Sequence, residues 1–191
     1  MTATGMSRWR HLPNVISCLR IALTGPACWA ILTQRPGWAL AIIAVAGASD
    51  GLDGFLARHF GWQSRLGGLL DAIADKLLLV TCFLAMAEVG WCTWWLALLV
   101  CGRDLVIAMG AFAWRTWIGP VQPEPSLLSK ANTLMQIVYL LAALLVAWRH
   151  EDVLLPWLSG TVAVLTAASG LDYVTRWSWR ARGVRRQARS R

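Results

Sequence analysis

Six apolar stretches, each long enough to cross a lipid bilayer, limit the folds that this chain can adopt. The hydrocarbon region holds no water to satisfy exposed peptide groups, so such stretches are expected to cross it as α-helices. The predicted spans are Pro13–Leu32, Trp38–Leu56, Leu66–Ala87, Trp91–Trp114, Leu127–Ala147 and Val153–Thr175. Since 57% of the 191 residues are apolar, the sequence predicts an all-α integral membrane protein with a single domain over residues 1–191.

Basic residues are distributed unevenly between the two sides of the predicted bundle. Most lie before span 1, in the connections between spans 2 and 3 and between spans 4 and 5, and in the tail 176–191, whereas the opposite loops carry only Arg35 and Arg149. The positive-inside rule therefore places both termini in the cytoplasm. The segment before span 1 is short for an organelle transit peptide, which favours a bacterial inner membrane.

The tail 176–191 is rich in arginine, which predicts attraction to anionic lipid headgroups. No motif of a nucleic-acid-binding fold accompanies it, so we do not expect a nucleic acid as partner.

Four of the chain's ten acidic residues lie at the predicted cytoplasmic ends of spans 2 and 3. Asp50 and Asp53 are three residues apart and share one helix face, and Asp71 and Asp75 are four apart and share another, with Gly67 one turn earlier. Carboxylates near hydrocarbon are costly and indicate a functional site. Together the four provide enough oxygen ligands for two hard cations such as Mg²⁺.

The residues around the acidic cluster favour phosphate chemistry. Gly54 and Ala57 are small and allow close approach, and Arg58 can form paired hydrogen bonds with a phosphate. Such a site would suit a phosphatase, a transferase or a cation transporter. The structural alternative is a set of ion pairs between the aspartates and Arg58, Arg65 or Lys76.

From Asp50 to Asp75 the sequence reads D-x2-D-G-x2-A-R-x8-G-x3-D-x3-D. This resembles the signature of the CDP-alcohol phosphatidyltransferases at every fixed position, and the six-span layout extends the resemblance over nearly the whole chain. The resemblance implies a CDP-linked lipid donor whose pyrophosphate is held by two divalent cations, Mg²⁺ or Mn²⁺. An acceptor hydroxyl attacks the phosphorus attached to the lipid, and CMP leaves. It also implies a homodimer.

The resemblance assigns roles to individual residues. Asp50, Asp53 and Asp71 are implied as metal ligands, and Asp75 as the general base that also touches a metal. The residues implied for the CDP-lipid pocket are Asn14, Gly54, Ala57, Arg58 and Gly67.

Three further segments resemble the CMP-forming cardiolipin synthases, which join CDP-diacylglycerol to phosphatidylglycerol. They are Arg103-Asp104, the pattern P-x-x-x-S-K-x-N-T-x-x-Q over 125–136, and A-S-G-x-x-Y over 168–173. Phosphatidylglycerophosphate synthases tend to have a second lysine where this chain has Asn132. Glycerol 3-phosphate is doubly charged and favours several cations, so Asn132 favours phosphatidylglycerol. We expect Lys130 to bind the acceptor phosphate, with Arg103 as the second candidate.

Three alternatives remain at this point. A phosphatidylglycerophosphate synthase would use glycerol 3-phosphate as acceptor. A cation transporter would use the aspartates without any need for Arg58, so the substitution Arg58→Lys separates it from the transferase. An inactive scaffolding relative is the third, and the complete set of aspartates argues against it.

Overall fold

The structure, a computed structural model, describes residues 12–60, 65–117, 126–149 and 155–189. In these ranges all regular secondary structure is α-helical, and there are six helices. They are α1 (Leu12–Leu32), α2 (Pro36–Phe60), α3 (Arg65–Glu88), α4 (Trp94–Trp117), α5 (Leu127–Arg149) and α6 (Leu155–Arg189). Each predicted span therefore coincides with one helix.

The helix ends differ by three residues or more from the predicted span ends at four places. α2 continues beyond Leu56 to Phe60, α4 covers Trp94–Trp117 instead of Trp91–Trp114, and α6 continues beyond Thr175 to Arg189. Apolarity marks where a chain can lie in lipid, whereas arginine, alanine and glutamine also favour a helix in water. The arginine-rich tail is too polar to belong to the apolar span, but its residues still favour a helix, and α6 therefore continues through it.

Local signals explain the later start of α4. Gly90 adopts a positive φ of 79° after the end of α3, a conformation that glycine reaches without a Cβ penalty. The N–H groups of Trp91 and Cys92 both donate to the carbonyl of Met86, at 2.9 and 3.2 Å. These bonds place Trp91 and Cys92 in a turn, although the apolar pattern had assigned both residues to the fourth span.

At the start of α5, the Oγ of Ser126 accepts a hydrogen bond from the Ser129 N–H at 3.2 Å. This N-terminal cap satisfies one of the helix's unpaired backbone donors. The helix accordingly begins at Leu127, as predicted.

The chain divides into two compact units. The first consists of Met1–Trp94 and Leu140–Asp152, and the second of Trp95–Tyr139 and Val153–Arg191. In the first unit α1 packs against both α2 and α3. Fully buried alanines occur on all three helices, namely Ala27, Ala30, Ala39, Ala46 and Ala74. Such small side chains allow helix backbones to approach closely.

In the second unit, aromatic and polar contacts join α4 to α6. The hydroxyl of Tyr173 donates to the carbonyl of Ile107 at 3.1 Å. Its ring stacks on Trp177, with centroids 5.0 Å apart, and Trp177 meets Trp114 edge to face at 4.9 Å. α6 is thereby fixed against α4 over two helical turns.

Two helices of the described ranges are long and apolar enough to cross a membrane, Trp94–Thr116 and Leu127–Arg149. Two shorter apolar segments are Ile16–Leu32 and Pro36–Ser49. The six crossings and the single membrane domain therefore stay predictions.

Candidate functional site

Asp71 and Asp75 lie one turn apart on α3, within the first compact unit. Their side chains are 38% and 43% exposed, so both carboxylates are accessible. The spacing of four residues puts them on the same face of the helix, as the sequence predicted.

Both carboxylates bind one arginine on α1. The Nη1 atom of Arg20 donates to Oδ1 of Asp71 at 2.8 Å and to Oδ1 of Asp75 at 2.6 Å. Arg20 is 1% exposed, so its charge is buried and compensated by these carboxylates. Ion pairs to Asp71 and Asp75 thus exist, and Arg20 is a partner of both; the side chains of Arg58 and Arg65, named for such pairs from the sequence, lie outside the described part of the chain.

α1 presents a buried polar stripe to this site. Ser17, Arg20 and Thr24 follow one another on one helix face and are all at most 6% exposed. Ser17 makes a longer contact of 3.4 Å from its hydroxyl to Oδ1 of Asp71, and the Thr24 hydroxyl donates to the Arg20 carbonyl at 3.0 Å. The packing of α1 against α3 brings Arg20 to the two carboxylates.

The arrangement of Asp71 and Asp75 fits a cation. Two carboxylate oxygens from successive turns contact a single cationic nitrogen, which shows that these side chains can converge on one positive charge. Carboxylate oxygens are the ligands that Mg²⁺ prefers, and the exposure of both side chains allows access. Among the residues whose side chains the structure describes, no group of three or more metal-ligating residues occurs. Asp50 and Asp53 lie outside that set.

For several other predicted site residues the structure describes the helical backbone and nothing of the surroundings. They are Asn14, Gly54, Ala57, Arg58 and Gly67. Asp50 and Asp53 lie three residues apart in the uninterrupted helix α2 and therefore share a face. The roles of all these residues stay predictions.

The predicted acceptor residues belong to the second unit. Arg103 is 7% exposed, and it donates from Nη1 to Asp104 at 2.6 Å and from Nη2 to Ser129 at 2.7 Å and Ser169 at 2.6 Å. Lys130, in contrast, is exposed in the first turn of α5. Arg103 therefore connects α4, α5 and α6, whereas Lys130 is accessible to a ligand.

The motif over 125–136 also contributes to the core of the second unit. Asn132 is fully buried, and its Oδ1 accepts a hydrogen bond from the Thr166 hydroxyl at 2.8 Å. Gln136 is fully buried one turn later, and neither its Nε2 nor its Oε1 has a hydrogen-bond partner among the residues that the structure describes. Ser169 and Tyr173 form hydrogen bonds between helices.

Sequence reasoning missed Arg20. The signal was present, because Arg20 is a charged residue in the middle of the first apolar stretch, where an ionisable side chain indicates a functional site. Its partners are 51 and 55 residues away, so the sequence does not identify them.

Comparison with known proteins decides the family. The family model described as CDP-alcohol phosphatidyltransferase matches residues 10–170. The chain belongs to this family. Family members are embedded in membranes and generally depend on divalent metals. The alternative of an unrelated cation transporter is accordingly set aside.

Several curated members are similar to this chain. One is a chloroplastic CDP-diacylglycerol–glycerol-3-phosphate 3-phosphatidyltransferase of Oryza sativa, which is 35% identical over an alignment of 190 residues that covers 88% of this chain and 57% of the relative. A putative cardiolipin synthase of Mycobacterium bovis is 37% identical over 98 residues, 51% of this chain and 47% of the relative. A CMP-forming cardiolipin synthase of Rattus norvegicus is 30% identical over an alignment of 180 residues that covers 85% of this chain and 60% of the relative. The chain thus spans about half the length of these relatives.

Proposed function

We propose that this phosphatidyltransferase moves the phosphatidyl group of CDP-diacylglycerol to a hydroxyl of phosphatidylglycerol, giving cardiolipin and CMP. The observation that carries the proposal is the pair Asp71 and Asp75, held together on successive turns of α3 within the intact family signature. Relatives named as cardiolipin synthases support the choice of acceptor.

Asp50, Asp53, Asp71 and Asp75 are the residues proposed to hold two divalent cations, Mg²⁺ or Mn²⁺. When bound, the cations would neutralise the donor's pyrophosphate and the charge that develops on departing CMP. The convergence of Asp71 and Asp75 on one positive charge supports their part in this set.

Asp75 is proposed to accept the proton of the attacking hydroxyl. Its carboxylate is accessible, and its Oδ1 is fixed by Arg20, so the side chain is held in one orientation. A carboxylate paired with a cation is a weak base, and it acts mainly because it lies within hydrogen-bond reach of the proton. Asn14, Gly54, Ala57, Arg58 and Gly67 are proposed to bind the cytidine diphosphate.

Lys130 is the residue proposed for the acceptor phosphate, since its side chain is exposed. Arg103 is the second candidate, because its guanidinium already binds Asp104 and two serines. Asn132 is buried against Thr166, and a lysine there would need a buried counter-charge. One accessible lysine in this segment supports a singly charged acceptor.

A second candidate acceptor is glycerol 3-phosphate, which would make the chain a phosphatidylglycerophosphate synthase. It is favoured by the rice relative, whose name specifies that acceptor and whose alignment covers 88% of this chain. Both candidates use the same donor and release CMP.

We propose that the six helices cross a bacterial inner membrane and that the aspartates lie at the cytoplasmic ends of α2 and α3. The proposed assembly is a homodimer. Each of the six described helices has at least 21 residues, and about 20 suffice for a bilayer. α4 also exposes a regular apolar stripe of Leu98, Leu105, Met109 and Phe112, each at least 54% exposed. Lipid contact explains such a stripe, because water would disfavour it.

A CMP-release assay tests the proposed function. Purified protein receives CDP-diacylglycerol and Mg²⁺ with phosphatidylglycerol or with glycerol 3-phosphate as sole acceptor. We expect CMP and a four-chain lipid product with phosphatidylglycerol, and no CMP when the metal is chelated. CMP with glycerol 3-phosphate alone would establish the second acceptor, and CMP with neither would contradict the transferase.

A further inference from the structure

We propose that Arg20 is a positioning residue of the metal site: it holds the carboxylates of Asp71 and Asp75 in the arrangement in which they receive a divalent cation. This inference rests on the proposed function, because it assumes that the two aspartates bind metal.

The contact geometry supports a positioning role. One nitrogen of Arg20 contacts one oxygen of each carboxylate, at 2.8 and 2.6 Å. Two carboxylates on the same helix face repel each other when both are ionised. A cationic donor shared between them removes that repulsion and selects the side-chain conformations in which their oxygens converge.

Burial is unequal across these contacts. Arg20 is 1% exposed, whereas Asp71 and Asp75 are 38% and 43% exposed. The arginine is therefore enclosed by the protein while it binds the carboxylates, and the carboxylates themselves keep accessible surface. A planar guanidinium with several donors suits this position, since it loses little freedom when it forms such bonds.

Stability alone does not explain Arg20. A buried ion pair is often no more stabilising than apolar residues of similar volume. By contrast, hydrogen-bond partners that orient metal ligands typically change metal affinity about 10- to 100-fold when they are removed. Metal affinity, measured without substrate, is therefore the informative quantity.

The test measures Mn²⁺ binding to the full chain in detergent without lipid substrate. The electron paramagnetic resonance signal of free Mn²⁺ reports how much of the metal remains unbound. The proteins are wild type, Arg20→Met, Arg20→Lys and Thr24→Val. We expect Arg20→Met to raise the Kd for Mn²⁺ about 10- to 100-fold. Arg20→Lys should fall between Arg20→Met and wild type, because lysine keeps the charge but has a shorter reach.

Thr24→Val is the matched control. Thr24 is buried on the same face of α1 one turn from Arg20, and its substitution removes the hydrogen bond to the Arg20 carbonyl without touching the carboxylates. We expect Mn²⁺ affinity like that of wild type. Thermal unfolding of each variant identifies the folded fraction.

The outcomes separate this inference from the proposed function. If wild type binds Mn²⁺ and Arg20→Met binds it equally well or more tightly, the positioning role is wrong while the metal site stands. If wild type itself binds no Mn²⁺, the proposed metal site fails and the inference with it. Should Arg20→Met not fold, Arg20→Lys decides: an unchanged Kd overturns the positioning role, and a raised Kd supports it.

Discussion

Among the residues whose side chains the structure describes, two arginines are buried, Arg20 and Arg103, and their environments differ. Arg20 binds two carboxylates that are themselves partly exposed, so a change at Arg20 alters groups that a ligand can reach. Arg103 binds Asp104, which is 9% exposed at its side chain, and two serine hydroxyls. Its bonds therefore serve mainly the packing of α4, α5 and α6, and Lys130 is the more accessible cation for an acceptor.

At the residue scale, the first prediction concerns Asp75→Asn. The amide keeps the size of the side chain and can still accept from Arg20, and the position is 43% exposed, so the fold should remain. The variant loses the group proposed to take the hydroxyl proton, and CMP release should fall by about 10²-fold or more. Substantial remaining turnover would remove Asp75 from the role of base.

The control for this change is Asp172→Asn on α6. Asp172 pairs with Arg176 four residues later, and that arginine is 61% exposed. Such surface pairs contribute at most about 1 kcal/mol, so both CMP release and thermal unfolding should stay close to wild type.

A second prediction at this scale is that Arg58→Lys abolishes most CMP release while the positive charge remains. A guanidinium can form two parallel bonds to a phosphate, and an ammonium group offers only a point charge. The measurement is CMP release over a range of CDP-diacylglycerol concentrations, with Arg176→Lys as the control substitution. Activity like that of wild type would show that Arg58 does not clamp the donor phosphate.

At the scale of elements, the contact between α4 and α6 depends on a glycine. A Cβ at Gly110 would lie 3.0 Å from Cε1 and 3.2 Å from the hydroxyl oxygen of Tyr173. Tyr173 cannot easily move, because it is bonded to the Ile107 carbonyl and stacked on Trp177.

We therefore predict that Gly110→Ala is less stable than Gly102→Ala by about 1–3 kcal/mol, because both gain helix propensity and only Gly110→Ala carries the cost of overpacking. Gly102→Ala on the same helix is the matched control, since a Cβ there meets nothing within 4 Å. Alanine favours a helix by about 1 kcal/mol over glycine, so this variant should be as stable as wild type or more stable. The readout is thermal unfolding in detergent, and equal effects of the two substitutions would contradict the packing argument.

At the scale of the whole molecule, the charge distribution predicts the topology. With both termini in the cytoplasm, the connection between α1 and α2 must lie on the opposite side of the membrane. Alkaline phosphatase inserted beside Gln34 should be active in bacterial cells, because the enzyme folds only outside the cytoplasm, and a fusion to the C-terminus should be inactive. The reverse pattern would invert the proposed location of the aspartates.

The sequence by itself predicted the six helices, because long apolar stretches have only a helical solution in lipid. It also predicted that Asp71 and Asp75 share a face, because helical periodicity relates residues four apart without any knowledge of the fold. The family followed from the same spacings, and the comparisons confirmed it. Helix ends were less predictable, since the turn after Gly90 and the continuation of α6 depend on local bonds and helix propensity instead of apolarity.

Only the tertiary structure decided which side chains meet. Arg20 and Asp71 are separated by 51 residues, and helical periodicity does not relate them. The packing of α1 against α3 brings them together. The same holds for Arg103, which the sequence assigned to a ligand and which the structure shows bound to Ser129 and Ser169 on two other helices. The physical reason is general: spacing along one helix determines a face, whereas the partner of a buried charge depends on which helix packs against that face.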